Sequence, residues 1–211
     1  MAEFVFETEK GKRENQEDFY GNWQDEFFVV ADGLGGHAAG EVASKIAVAT
    51  AILIFKETKD IKRVFEEVNQ AVLRESQKNT QYTGMGTTMV ALALQQNGVV
   101  FGNVGDSRGY ILSGGKLSQI TKDDRDEIGF LIRALGIDKE TKPRIIKESL
   151  KKGDVILLCT DGLTDFVSDK VIEKILLSDA GLKKKAEGLI EAAAQFGSTD
   201  NITVGLVTAL L

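Results

Sequence analysis

The chain reads as an α+β domain, with antiparallel sheets and helices packed outside them. Three observations lead there. Short apolar runs of strand length recur along the chain, two-residue turn signals join them in pairs, and helical spacing appears in two separate groups. The first strand is Phe27-Phe28-Val29-Val30-Ala31, which stops at Asp32-Gly33 as a buried strand entering a turn would. From Glu41 to Phe55 the pattern changes to Ala, Ile, Val and Leu at helical spacing. A second helix is expected from Asp60, a good N-cap, to Gln77, with Ile61, Val64, Phe65, Val68, Val72 and Leu73 on one face. Strands Thr87–Gln95 and Val99–Val104 flank Asn97-Gly98, and strands Arg108–Ser113 and Lys116–Thr121 flank Gly114-Gly115. Such consecutive hairpins predict an antiparallel meander, because parallel strands need long crossovers. A strand over Asp154–Thr160, helices near Asp169–Leu177 and Lys183–Gln195, and a closing strand over Ile202–Ala209 complete the pattern.

Composition narrows the function. The 211 residues suit one domain, spanning 1–211, and no Ser/Pro-rich linker or internal repeat divides them. A net charge of −6 argues against a nucleic-acid or acidic-membrane binder. One Cys and one His exclude a disulfide framework, a thiolate cage and a multi-histidine zinc site, so any bound metal is held by oxygen. The opening MAEFVFETEK lacks the profile of a signal peptide, and no apolar run reaches membrane-spanning length. A cytoplasmic protein is expected.

The acids sit where strands end. FFVVA runs into Asp32-Gly33, FGNVG into Asp106-Ser107 and VILLCT into Asp161-Gly162, while Glu17-Asp18 and Asp200-Asn201 adjoin further strands. At any one site ordinary turn chemistry explains the aspartate as well. Several together on one sheet edge would be costly. Two carboxylates about 4 Å apart repel by roughly 4 kcal/mol at an effective dielectric of 20, against a whole-domain stability of about 5–15 kcal/mol. Protonation or bound cations must relieve this. Carboxylates and carbonyls favour Mg²⁺ and Mn²⁺, so an acid-rich strand edge suggests a metal site, with one ion or two.

At these residues the chain resembles the metal-dependent type 2C (PPM) serine/threonine protein phosphatases in their bacterial form. Six blocks match in order: Arg13-Glu14-Asn15-Gln16-Glu17-Asp18; Val30-Ala31-Asp32-Gly33-Leu34-Gly35-Gly36-His37-Ala38-Ala39-Gly40-Glu41; Gly86-Thr87-Thr88; Asn103-Val104-Gly105-Asp106-Ser107-Arg108; Thr160-Asp161-Gly162-Leu163; and Asp200-Asn201-Ile202-Thr203. The resemblance implies an α-β-β-α fold, an antiparallel β-sandwich flanked by helices on both faces. It implies that Asp32 bridges two Mg²⁺ or Mn²⁺ ions, that the Gly33 carbonyl adds a ligand, that Asp161 and Asp200 complete one ion and Glu17 the other, and that Asp18 assists through water. Asp106 with Asp161 matches the positions of a third, weaker ion. Arg13 matches the residue that grips the substrate phosphate, for which a planar guanidinium suits two oxygens at once. The implied reaction is hydrolysis of phosphoserine and phosphothreonine on proteins by a water bridging two metal ions, with no protein nucleophile. The implied partners are phosphorylated substrate proteins and a serine/threonine kinase or its targets, and a monomer is expected.

Other residues have plainer readings. Cys159 lies inside VILLC as a buried structural thiol, and it has Asp165 where a cysteine phosphatase would need Arg. His37 has two readings, a cap or packing residue of the glycine turn and a proton donor; the first is favoured, since Leu34 stands where animal relatives place an acid histidine. Thr87 and Thr88 are expected to support the site, Met85 and Met89 to pack, and Lys183–Lys185 to be a solvated helix start. Two departures from the family pattern stand out. Gln16 replaces a common Asn, and only Lys122–Ile132 lies where most bacterial members carry a longer flap. Asp123, Asp124 and Asp126 of that segment are candidates to reach the cluster. Short, flap-poor domains are similar to the sporulation stage II E-type branch. The rival functions are a catalytically silent relative that binds phosphoproteins or regulators, marked by lost carboxylates, and a metal-stabilised interaction domain, which gains nothing from Arg13.

Overall fold

The computed structural model describes residues 2–35, 39–96 and 98–209, so His37 and Asn97 lie outside the described residues. Its elements in chain order are β1 (Ala2–Glu9), β2 (Asp18–Trp23), β3 (Phe27–Leu34), α1 (Ala39–Thr58), α2 (Ile61–Lys78), β4 (Gly86–Thr87), β5 (Met89–Gln95), β6 (Gly98–Val104), β7 (Arg108–Ser113), β8 (Lys116–Gln119), β9 (Arg144–Ser149), β10 (Val155–Cys159), α3 (Asp161–Thr164), α4 (Asp169–Leu176), α5 (Leu182–Gln195) and β11 (Ile202–Ala209). Two sheets form, one in the order β1-β11-β10-β7-β8 and the other β2-β3-β5-β6-β9, with β4 paired to β3. All their pairings are antiparallel.

The run Phe27–Ala31 is continuously apolar because both of its faces are buried. Phe27, Val29 and Ala31 pack with Ala43, Ala47 and Phe55 of α1 and Val64, Phe65 and Val68 of α2. Phe28 and Val30, pointing the other way, meet Ile156, Leu158 and Val207 of the opposite sheet. That sheet's outer face carries Tyr110, Leu157, Cys159 and Leu206 against Ile172 and Leu176 of α4 and Ala186 and Leu189 of α5. The layers are therefore helix, sheet, sheet, helix. Met85, Met89 and Cys159 are fully buried packing residues, as expected.

The hairpin reading needs one correction. β5–β6 and β7–β8 each form, but they belong to different sheets rather than one meander. The chain crosses between sheets at Gly105-Asp106-Ser107, where Gly105 has φ +100 and a Cβ would lie 2.6 Å from Cβ of Thr88. Strands β1, β2 and β9 also form where the apolar pattern alone marked none.

Candidate metal centre

The register gathers the strand-end acids. Asp18 opens β2 directly opposite Asp32 in β3, and Gly33 pairs with Thr87. On the facing sheet Cys159 pairs with both Arg108 and Val204, so Asp161, just past β10, stands beside the crossing that carries Asp106 and the approach to β11 that carries Asp200. Thr160 completes this junction: its N–H donates to the Thr203 carbonyl (3.1 Å) and its hydroxyl to Asp18 Oδ2 (2.9 Å).

The backbone around Asp32 is tied down by its neighbours. Thr87 Oγ1 donates to the Asp32 carbonyl (2.8 Å), and the Asp32 N–H donates to Thr88 Oγ1 (3.2 Å), which also bonds Ser107 Oγ (2.7 Å). Glu17 is held from three sides. Its N–H donates to Asn201 Oδ1 (2.7 Å), its carbonyl accepts from Gly33 N–H (3.1 Å), and its carboxylate lies against Gly40. A Cβ on Gly40 would stand 2.8 Å from Glu17 Cδ, and one on Gly33 only 1.9 Å from the Gly40 carbonyl oxygen, so these glycines let three segments converge.

The electrostatics are those of crowded anions. Burial pushes Asp32 well above the usual carboxylate range, and the charges of Asp18, Asp161, Asp106 and Asp200 push it further. Burial raises Asp18 to about 7 against the lowering effect of hydrogen bonds from Thr203 and Thr160, with Asp161 and Asp200 adding to the rise. Asp161 is likewise pushed up to about 7, first by burial and then by Asp106, Asp165 and Asp200. Glu17 and Asp106 are raised chiefly by burial. Asp18 is 3% exposed, and its Oδ1 is buried with no hydrogen-bond partner. An orphaned carboxylate oxygen inside a set of mutually repelling acids fits a bound cation.

Among the described residues no three acids stand as a ready-made metal cage. Two arginines take up part of the negative charge instead. Exposed Arg13 pairs with Asp200 (Nη2–Oδ2 2.6 Å). Arg125 pairs with Asp106 (2.7 Å), Asp161 (2.8 Å) and Asp165 (2.9 Å).

The predicted residues Arg13, Glu17, Asp18, Asp32, Gly33, Asp106, Asp161 and Asp200 thus meet at one end of the sandwich. The acids of the short 122–132 segment go elsewhere. Asp123 pairs with Arg108, buried Asp124 with Arg133 and Arg144, and Asp126 caps its own turn through the N–H groups of Ile128 and Phe130. Gln16, in place of Asn, still holds the segment by accepting from the Asp18 N–H (3.1 Å) and donating to Thr8 Oγ1 (2.9 Å). Cys159 is inert packing, its thiol pushed up by burial. Sequence reasoning missed two residues. Asn201 also donates to the carbonyls of Lys10 and Asn15, stitching the first and last motifs together. Arg125, a base inside the charged run Lys122–Glu127, carried no signal that separates it from a solvated turn.

A family model described as protein phosphatase 2C matches residues 10–191. The serine/threonine phosphatase stp of Listeria monocytogenes is 35% identical, covering 96% of this chain and 94% of its own length. That match runs over 236 positions against 211 residues here, a surplus of at least 25 with no counterpart in this chain. Protein phosphatase PhpP of Streptococcus pneumoniae is 29% identical over 93% of each chain. The crystal structure of the Mycobacterium tuberculosis serine/threonine phosphatase PstP/Ppp superposes with a TM-score of 0.90 at 31% identity, covering 98% of both chains. The catalytic domain of PstP in complex with two manganese ions superposes equally well, with a TM-score of 0.90 at 32% identity over 98% of this chain and 97% of that one. Sequence, architecture and the gathered carboxylates agree: the chain belongs to the protein phosphatase 2C family.

Proposed function

We propose that the chain is a Mg²⁺- or Mn²⁺-dependent phosphatase that hydrolyses phosphoserine and phosphothreonine on proteins. The observation that carries this reading is the convergence of Asp18, Asp32, Asp106, Asp161 and Asp200 from both sheets at one end of the sandwich, with a partnerless buried oxygen on Asp18 and exposed Arg13 alongside. Asp32 lies among the others and is the residue to serve both ions, with the Gly33 carbonyl beside it. Asp161 and Asp200 would hold one ion and Glu17 the other, with Asp18 acting through water. When bound, such a pair of ions acidifies water and neutralises charge in phosphoryl transfer.

The chain's own contribution is placement. Thr87, Thr88 and Asn201 fix the backbones of Asp32 and Glu17, so the carboxylates need little reorganisation to receive cations. Arg13 is restrained by one exposed ion pair, a contact worth about 0–1 kcal/mol, so its fork can turn to two phosphoryl oxygens at small cost. The likeness to bacterial serine/threonine phosphatases supports phosphoprotein substrates, those of a serine/threonine kinase among them. No helix among the described residues is long and apolar enough to cross a membrane. A monomer working in the cytoplasm belongs to the same proposal.

The test is hydrolysis of p-nitrophenyl phosphate and of a phosphothreonine peptide with Mn²⁺, with Mg²⁺ and with EDTA, beside Asp32→Asn. Turnover should need metal. The substitution should lower kcat by about a thousandfold or more, roughly 4 kcal/mol of lost transition-state stabilisation. Metal bound by calorimetry with no turnover on either substrate would sink the enzymatic reading, and so would an Asp32→Asn protein as active as the parent.

A further inference from the structure

We propose that Arg125 is a tethered cation: its guanidinium takes the place of a metal ion between Asp106 and Asp161, so that this chain holds two dications and supplies the third positive centre itself. The inference rests on the phosphatase reading and deepens it. The guanidinium meets three carboxylates at once. Nε donates to Asp106 Oδ2 (2.7 Å), Nη2 to Asp161 Oδ2 (2.8 Å), and Nη1 and Nη2 to the two oxygens of Asp165 (2.9 Å each). These are charge-assisted distances, and the Asp165 contact is bidentate. The Arg125 side chain is 22% exposed, so the contacts are only partly open to water.

The loop is built to hold it there. Asp124, the preceding residue, is buried. It accepts from Gly105 N–H through Oδ2 (3.0 Å), its own N–H donates to the Gly105 carbonyl (3.0 Å), and Arg133 and Arg144 pair with its other oxygen. Gly105 immediately precedes Asp106, so Arg125 is pinned next to its first partner. On the other side a bridge to Leu131 and the Asp126–Phe130 turn close the segment. A longer flap has no part in this arrangement; the short loop brings the base to the acids.

The same oxygens cannot serve both kinds of cation. Mg²⁺ demands carboxylate oxygens at about 2.0–2.1 Å in near-octahedral array, and a guanidinium nitrogen already stands on the Asp106 and Asp161 Oδ2 atoms where that ion would sit. A weakly held ion leaves when metal is scarce, whereas Arg125 is covalently part of the chain and keeps Asp106, Asp161 and Asp165 partly neutralised at any metal concentration.

The experiment is Mn²⁺ stoichiometry by isothermal calorimetry and by equilibrium dialysis with elemental analysis, on the parent protein, Arg125→Gln and Arg125→Lys. The parent should bind two ions and Arg125→Gln three, the added one weaker. Arg125→Lys keeps the charge and should stay at two. As a second readout, saturating Mn²⁺ should raise Tm more in Arg125→Gln than in the parent, because the variant begins with unrelieved repulsion. A folded Arg125→Gln protein that still binds two ions with the parent's affinities would overturn the inference, as would a parent that binds three. A parent that binds no Mn²⁺ would instead overturn the phosphatase reading itself.

Discussion

Asn201 brings no charge to the acidic cluster, yet it decides where Glu17 sits. Its amide oxygen accepts from the Glu17 N–H, while its amide nitrogen donates to two carbonyls of the segment leading there. The side chain is 5% exposed, so water cannot readily replace it. Asn201→Ala should leave those backbone groups unsatisfied and cost about 1–3 kcal/mol, read as a fall in Tm. The same change should weaken Mn²⁺ binding by about 10–100-fold, the usual effect of losing a residue that orients metal ligands. A lower Tm with unaltered Mn²⁺ affinity would make Asn201 purely structural. At this scale the sequence was legible wherever a residue's type limits its role. Asp32, Asp106 and Asp161 stood out because each interrupts an apolar run beside glycine or serine. Arg125 did not stand out, because a base among six consecutive charged residues looks like any solvated turn until the partners 36 and 40 positions away are known.

Elements announce themselves in proportion to how many of their faces are buried. β3, β5, β6 and β10 lie inside their sheets and carry continuous apolar runs, and all four were readable. β1, β2 and β9 are edge strands, partly open to water, and their sequences mix polar and apolar residues too evenly to mark a strand. The assignment of two hairpins to one meander failed for a related reason: turn chemistry is local, whereas sheet membership is settled by partners far along the chain. Helix α2 is the opposite case, since its start is a local matter. Asp60 was expected as its N-cap, and its side chain accepts from Arg63 N–H (3.2 Å). Asp60→Ala should therefore cost about 0.5–2 kcal/mol, a fall of roughly 2–4 °C in Tm per kcal/mol at this chain length. Its metal-dependent kcat should match the parent's, since the hydrogen bonds of Asp60 run to Arg63, Val64 and Thr58. A kcat reduced along with Tm would mean that the helix is coupled to the acidic edge.

The whole molecule trades stability for a site that binds cations. Five segments must bring their acids to one end of the sandwich in a chain of net charge −6, and the fold holds them there by packing the sandwich from both sides. Asp18 and Asp161, each raised to about 7, bind protons in the folded chain more tightly than in the unfolded one, where an aspartate titrates near 3.9. Between those values the folded state carries the extra protons, so their contribution to stability is fully present below about pH 4 and is lost as pH rises through 7. In EDTA, Tm of the parent should therefore fall more between pH 5.5 and 8 than Tm of Asp18→Asn, which has one fewer raised carboxyl. Bound metal must reverse the balance, because cations and protons compete for the same oxygens. The rise in Tm caused by Mn²⁺ should be large at pH 8 and shrink steadily toward pH 5.5. Differential scanning fluorimetry of both proteins, with EDTA and with Mn²⁺ across this range, measures all of these slopes. A Mn²⁺ effect independent of pH would show that the raised acids are not the ones the metal meets. Equal EDTA slopes in the two proteins would show that Asp18 is not among the carboxyls that strain the fold.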